Sequence, residues 1–298
     1  MISMTGFLIL NFGLNNNSQV NSSNFKNFNF VAVGDWGCNL NTENIVKSMQ
    51  EKDPEIVLGL GDYSYKDSSE CWFETVEPLI ENMKISIGNH DTDSSEKLKS
   101  YFENFGLENQ YYSFDFRNIH FIVLATEPLL ILNSTQYSFV EKDLINTASD
   151  PRYDWIIVYY HMPGYISPNS AHEPLINFTS LYHPLFEKYG VDLVLQGHVH
   201  NYERSFPIKF DPNNPTNPII TDRNKNLYNE PDGQIFATVG TGGAALHSFR
   251  GKDYHTFTQY VGFGFMNIEI VDEGKTLDAK FYTRDGSIWD HFIIRKEG

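Results

Sequence analysis

Apolar residues fall along this chain in two rhythms. Val31-Ala32-Val33, Ile56-Val57-Leu58, Ile85-Ser86-Ile87 and the runs 119–124, 155–159 and 191–195 are short apolar stretches, most of them β-branched, and predict buried strands. Between them, apolar positions recur every three to four residues. Ile45, Val46 and Met49 predict one helix face. Phe73, Val76 and Ile80 predict a second, which Pro78 must bend or delimit. Leu98, Phe102 and Phe105 predict a third, and Leu181, Leu185 and Tyr189 a fourth that stops at Gly190. Such alternation predicts an α/β fold with buried sheet strands. After Gly197 the rhythm changes: residues 211–218 form a Pro/Asn-rich loop, followed mostly by strands and a hairpin about Asp285-Gly286. No internal repeat or composition break divides the chain, so residues 30–298 read as one domain and residues 1–29 as a flexible, Asn/Ser-rich lead-in. The apolar run 7–10 is interrupted by Asn11 and preceded by no Lys or Arg, so it reads as a weak or remnant leader.

Composition narrows the function classes. Hydrophobic residues are 41% and charged residues 20%, ordinary for a globular protein and against wholesale disorder. A formal charge of −16 repels nucleic acid and anionic membranes, so neither is an expected partner. No stretch reaches the apolar length needed to cross a bilayer. Cys38 and Cys71 are too few for a disulfide framework; one bridge and two free thiols both fit the sequence.

Five polar clusters sit at predicted strand ends. Gly34-Asp35-Trp36-Gly37 follows the first strand, Gly61-Asp62-Tyr63-Ser64-Tyr65 the second and Gly88-Asn89-His90-Asp91 the third. Val158-Tyr159-Tyr160-His161 ends a later strand, and Gly197-His198-Val199-His200 ends the next. One Gly-Asp is usually only a turn, and one His-x-His is commonly surface or core. Five in this order point to a site, because α/β proteins place theirs at the carboxyl ends of sheet strands. Glycine permits a tight turn that lets the adjoining polar residue face the crevice. Carboxylate, phenol, amide oxygen and imidazole together suit iron, zinc or manganese. His198 and His200, two apart, can face one cavity, and a carboxylate such as Asp62 has two oxygens with which to bridge two ions.

These clusters resemble the signature of the calcineurin-like metallophosphoesterases, and Tyr65 narrows the resemblance to the purple acid phosphatases. The pattern GDxG, GDxxY, GNH plus an acidic residue, VxxH and GHxH is present without departure at a ligand position. Asn201-Tyr202-Glu203-Arg204, Val239-Gly240-Thr241-Gly242-Gly243 and the segment 264–294 also look like that family. The resemblance implies a four-layer α-β-β-α sandwich with two central mixed sheets. It implies that Asp35, Asp62, Tyr65 and His200 hold iron(III), and that Asp62, Asn89, His161 and His198 hold a divalent iron, zinc or manganese. A phenol with a pKa near 10 becomes phenolate only beside a strong Lewis acid, so iron(III) at Tyr65 would colour the protein.

The implied reaction is hydrolysis of phosphate monoesters at acid pH, with a small phosphorylated substrate held by the cation pair and a metal-bound hydroxide as nucleophile. His90 is the first candidate to protonate the leaving group, against a structural hydrogen bond to Asp91; His172 resembles the family's second outer histidine. Tyr202 and Arg204 fit the pocket lining and a structural role equally. His120, His183, His247, His255 and His291 fall outside every motif and read as structural or exposed. Two rivals stand beside this reading. One is a phosphodiesterase or nucleotide hydrolase of the same scaffold with manganese or zinc, against which Tyr65 argues. The other is a non-catalytic metal-binding protein, against which the intact ligand set argues. Specificity is expected in the loops 163–174 and 205–231. Family members are commonly exported, which favours an extracellular location despite the weak leader.

Overall fold

The computed structural model describes residues 25–126 and 134–297. The elements in chain order are β1 (Phe28–Val33), α1 (Leu40–Gln50), β2 (Ile56–Gly59), α2 (Glu70–Val76), β3 (Met83–Ile85), α3 (Ser95–Phe105), β4 (Tyr112–Phe116) and β5 (Ile119–Val123). There follow α4 (Thr135–Thr147), β6 (Trp155–Tyr160), α5 (Ile176–Tyr189), β7 (Leu193–Gln196), β8 (Tyr202–Ser205), β9 (Ile208–Lys209) and β10 (Ile219–Ile220). The last are β11 (Leu227–Asn229), β12 (Ile235–Val239), β13 (Thr256–Tyr260), β14 (Gly264–Val271), β15 (Thr276–Thr283) and β16 (Ile288–Arg295).

Two seven-stranded sheets carry the fold, in the orders β11-β16-β15-β14-β1-β2-β3 and β13-β8-β12-β7-β6-β5-β4. Both are mixed. β1, β2 and β3 run parallel in the first, and β5, β6, β7 and β12 run parallel in the second; most other neighbours are antiparallel. Parallel strands covered on both faces need apolar residues almost throughout, which is why β2 and β6 are unbroken apolar runs and β5 is broken only by His120, all three buried at every position. The sheets pack face to face: Phe30 of β1 meets Phe121 of β5 edge-on at 5.4 Å, and Tyr202 of β8 stacks on Phe281 of β15 at 3.9 Å. Ile45, Met49, Trp72 and Tyr101 bring α1, α2 and α3 onto the first sheet. Val140, Leu144, Phe178 and Tyr182 bring α4 and α5 onto the second. The result is the four-layer α-β-β-α sandwich expected from the resemblance.

The periodicity locates most elements. Pro78 separates α2 from a 3-10 turn over Glu77–Asn82, where its missing N–H falls in the first turn, and α5 ends at Gly190 with φ 71°. β3 ends at Ile85, two residues before the run's end, and β7 starts at Leu193, two residues after the run's start. β4 and α4 are not anticipated. α4 buries Gln136, whose amide bonds Ala125 N–H (2.8 Å) and Ala125 C=O (3.2 Å), so a polar residue interrupts its apolar stripe. Of the lead-in expected over 1–29, residues 1–24 lie outside the described residues, among them the run 7–10. Phe28 and Asn29 belong to β1, paired with Ile270 and Glu269, so ordered chain begins before residue 30.

Three side-chain assignments are settled by the fold. Cys38 and Cys71 form a disulfide between the loop after β1 and α2; closing a loop of that length removes about 3–4 kcal/mol of denatured-state entropy. Tyr202 and Arg204 do not line a pocket. Tyr202 Oη and Arg204 Nε each donate to Asp290 Oδ2 at 2.6 Å, and Arg204 Nη2 donates to Oδ1 at 2.9 Å, a buried tie between the two sheets. His120 is structural: Nδ1 meets Asp115 Oδ1 (2.6 Å, β4) and Nε2 meets Asp143 Oδ2 (2.8 Å, α4). Tyr153 Oη donates to Asp115 Oδ2 from the loop before β6.

With a carboxylate on each nitrogen, His120 is held as imidazolium. Burial opposes this, but the bonds to Asp143 and Asp115 raise its pKa, while Tyr153 and His120 lower that of Asp115 despite burial. A raised histidine stabilises below its folded pKa, and a lowered carboxylate stabilises above its own. The latch therefore strengthens the fold at mildly acid pH and weakens as pH rises past the histidine. We predict that His120→Gln lowers Tm at mildly acid pH and removes the fall in Tm that occurs as pH rises from the ordinary histidine range through the raised one, read as Tm against pH; an unchanged profile would refute the latch.

Candidate metal centre

All five clusters meet at one place, where the carboxyl ends of β1, β2 and β3 from one sheet face those of β6, β7 and β12 from the other. Main-chain bonds stitch this seam: Gly34 N–H to Val239 O (2.9 Å), Asp35 N–H to Gly61 O (3.0 Å), Trp36 N–H to Asp62 O (2.9 Å) and Gly197 N–H to His161 O (2.9 Å). The left-handed conformation falls on the functional residues themselves: Asp35 has φ 58°, Asp62 φ 53° and His198 φ 69°. Aspartate and histidine are among the few non-glycine residues found in this region, but it remains uncommon for them, so the surrounding packing must hold it. At Gly197 the glycine is needed chiefly for closeness, since a Cβ there would stand 2.6 Å from Leu60 O.

Two groups of donor atoms share Asp62. In one, Tyr65 Oη lies 2.8 Å from His200 Nε2, 3.3 Å from Asp35 Oδ1 and 3.3 Å from Asp62 Oδ2. In the other, His161 Nε2 lies 3.2 Å from Asp62 Oδ2, 3.2 Å from Asn89 Oδ1 and 3.2 Å from His198 Nδ1. Asp62–His161–His198 and Asp35–Asp62–His200 are each compact enough to take one ion. All seven residues predicted to bind metal, Asp35, Asp62, Tyr65, Asn89, His161, His198 and His200, are thus brought together.

The donor chemistry fits cations. His161 Nδ1–H donates to Leu60 O (2.8 Å) and His200 Nδ1–H donates to Ala245 O (2.6 Å). Each bond fixes the tautomer that turns an Nε2 lone pair into the cluster, where carboxylate, amide and imidazole acceptors face one another. Protons or cations must sit between them. In the bare protein the answer is a proton: burial opposes it, but Asp62 pushes His161 up to about 10. Burial would raise Asp62, yet His161 and the His90 N–H hold it well below the usual range. Burial, then Asp35 and Asp62, push the Tyr65 phenol far up, so only a cation at this spot would ionise it.

The surrounding residues depart from expectation at two points. Asp91 does not orient His90. It accepts the N–H groups of Asp62 (2.8 Å), Tyr63 (2.9 Å) and Gly88 (2.8 Å), pinning the loops after β2 and β3, while His90 Nδ1 bonds Asp93 Oδ2 (3.1 Å). Burial and the Asp62 charge push the Asp91 carboxyl up to about 7. His90 itself lies against Tyr65, ring centres 4.5 Å apart, and His172 lies 3.8 Å from the His198 ring, so both predicted proton-transfer residues border the cluster. His247, read from sequence as structural or exposed, also stands here, stacked on His200. Burial, then His200 and His172, hold it down to about 4. His183, bonded to Tyr165 Oη and Gln234 Oε1, and His255 are buried, and His291 pairs with Asp278, as expected of structural residues.

Lys97 is a supporting residue that no motif marks. From α3 its buried Nζ donates to the carbonyls of Ser64 and, at 3.0 Å, Lys66, on either side of Tyr65. Lys97→Met would strand both acceptors, at about 1–3 kcal/mol each. We predict a stability loss of about 2–4 kcal/mol by denaturant unfolding; a loss under about 0.5 kcal/mol would show that the loop needs no such support.

A family profile described as calcineurin-like phosphoesterase matches residues 28–202. Among curated proteins, the chain is 27% identical over 294 residues to purple acid phosphatase 18 of Arabidopsis thaliana, covering 89% of this chain and 63% of that protein. It is 26% identical over 254 residues to purple acid phosphatase 23 of the same plant, covering 71% and 51%. It therefore spans only about half to three-fifths of their length. Among solved structures, the purple acid phosphatase PPD1 from yellow lupin (Lupinus luteus) seeds shares the fold, with a TM-score of 0.73 at 23% identity, covering 91% of this chain and 54% of that one. The family implies a centre of two metal ions, and the seam between the two sheets is where this chain gathers donors for one: the chain belongs to the calcineurin-like phosphoesterase family.

Proposed function

We propose that this chain is an acid phosphatase that hydrolyses phosphate monoesters. In this reading Asp35, Asp62, Tyr65 and His200 hold iron(III), and Asp62, Asn89, His161 and His198 hold a divalent iron, zinc or manganese. The observation that carries it is Tyr65, whose phenol oxygen lies within 3.3 Å of Asp35, Asp62 and His200 at once. A phenol so placed serves iron(III), where a relative built on two divalent ions has no use for it. The bound pair would supply positive charge for an anionic phosphate and acidify water at mildly acid pH.

The chain's own residues do the rest. Asp62 accepts the His90 N–H through Oδ1, leaving Oδ2 to the cluster; Asp35 accepts the His198 N–H through Oδ2 (2.7 Å), leaving Oδ1. Each carboxylate is thereby aimed before any cation arrives. His90, half-exposed beside Tyr65, would hand a proton to the departing alkoxide, and His172, over His198, would bond the phosphate; their ring contacts with these two residues support that reading. The disulfide suits an oxidising compartment and supports export.

Metal content, visible absorption and release of phosphate from an aryl ester, measured on one preparation, test this reading. One iron and one further metal per chain, a broad visible band and an acid optimum are expected. A colourless, fully active protein would instead favour a phosphodiesterase or nucleotide hydrolase with manganese or zinc. His90→Ala should keep metal and colour yet slow alkyl phosphates about 10²-fold while sparing aryl esters with good leaving groups. Equal slowing of both would give His90 a binding role instead.

A further inference from the structure

The loop after β12 folds back over the metal centre and presents His247. Three contacts fix this residue. Its N–H donates to His200 O (2.9 Å), its Nδ1 accepts His200 N–H (3.1 Å), and its ring lies 4.0 Å above the His200 ring, only 9° from parallel. Its carbonyl also accepts from the buried Asn201 amide at 3.3 Å. On the other side stands His172, ring centres 5.2 Å apart, itself stacked at 3.8 Å on His198. His247 and His172 thus form a rim above His200 and His198.

The hydrogen bond to Nδ1 settles the tautomer. A nitrogen that accepts an N–H carries no proton, so the ring is neutral and its single N–H is at Nε2. The two nitrogens sit on opposite sides of the ring; with Nδ1 turned to the His200 main chain, Nε2 points away from it. No described residue receives that N–H, and the side chain is only half-buried. A fixed neutral donor at the edge of an anion site matches a phosphate oxygen, and being held on three sides it loses little freedom on binding.

We propose that His247 is a substrate-contacting residue that donates its Nε2–H to a non-bridging phosphoryl oxygen. The inference rests on reading the pocket as a phosphate site. It assigns His247 a task different from that of His90, because a contact to a non-bridging oxygen favours binding whatever the leaving group.

Two isosteres separate this role from mere support of His200. Asparagine can reproduce the acceptor at the Nδ1 position, and glutamine a donor near the Nε2 position. The test is the dissociation constant of inorganic phosphate, by calorimetry on metal-loaded protein, for wild type, H247A, H247N and H247Q, with metal content, melting temperature, KM and kcat alongside. H247A and H247N should weaken phosphate binding and raise KM about 10- to 100-fold, with kcat within about threefold and both metals retained, while H247Q recovers most of the loss. Rescue by asparagine but not glutamine, loss of metal from H247A, or unchanged phosphate binding in all variants would each overturn the assignment. Failure of metal-loaded wild type to bind phosphate would overturn the reading of the pocket itself, and is visible before any variant is made.

Discussion

Asp62→Ala should empty both cation positions and reduce phosphate release to background, a loss of at least about 10³-fold in kcat/KM. Asp62 Oδ2 belongs to both donor groups, 3.3 Å from Tyr65 Oη and 3.2 Å from His161 Nε2. Removing it leaves each group short of a donor and takes away one of the two carboxylate charges in the cluster, leaving only that of Asp35. The fold should survive, since the Asp91 bonds reach the main chain of residues 62 and 63 rather than the Asp62 side chain. Alanine does strain the backbone at φ 53°, by about 1–2 kcal/mol. Asp62→Asn tolerates that conformation and keeps an oxygen, so it separates the two effects: intermediate metal content with unchanged stability is expected. Metal analysis beside an unfolding curve reads both, and a full metal complement in the alanine variant would contradict the bridge.

Tyr65→Phe should abolish the visible band and weaken the iron position, with activity falling about 10- to 1000-fold. The ring contacts Tyr65 makes with His90 (4.5 Å) and His200 (5.6 Å) are open to phenylalanine, so packing is conserved while the oxygen is lost. Stability of the metal-free protein should change by less than about 1 kcal/mol. Loss of colour with a folded protein assigns the chromophore to this phenolate. A band that persists unshifted would place the colour elsewhere and remove the main reason for preferring iron(III).

The site was more legible than its supports. Each of the five clusters carries its ligands within a few residues of a strand end, so strand prediction alone places them at one edge of the sheets. Lys97 and His247 were hidden for a different reason: they reach the centre from α3 and from the loop after β12, and their relevance exists only in three dimensions. Lys97 meets a loop 33 and 31 residues earlier, and His247 a residue 47 positions earlier. Glycine takes the turn expected of it at Gly61, with φ 89°, but not throughout. The left-handed turn falls on Asp35, Asp62 and His198, and Gly197 is required for close approach. The sequence could pair Cys38 with Cys71 only as one of two options, because whether two thiols meet depends on how the loop after β1 packs on α2. α4 escaped because a buried glutamine, satisfied by Ala125, broke the apolar stripe that would have announced it.

In the proposed centre, donors from both sheets enclose two neighbouring cations with the Asp62 carboxylate between them. Anomalous X-ray diffraction from crystals of the metal-loaded protein, collected on both sides of the iron edge, tests this directly. Two peaks are predicted, one beside Tyr65 and His200 that is strong only above the iron edge, and one beside Asn89, His161 and His198. A single peak, or peaks away from Asp62, would contradict the account.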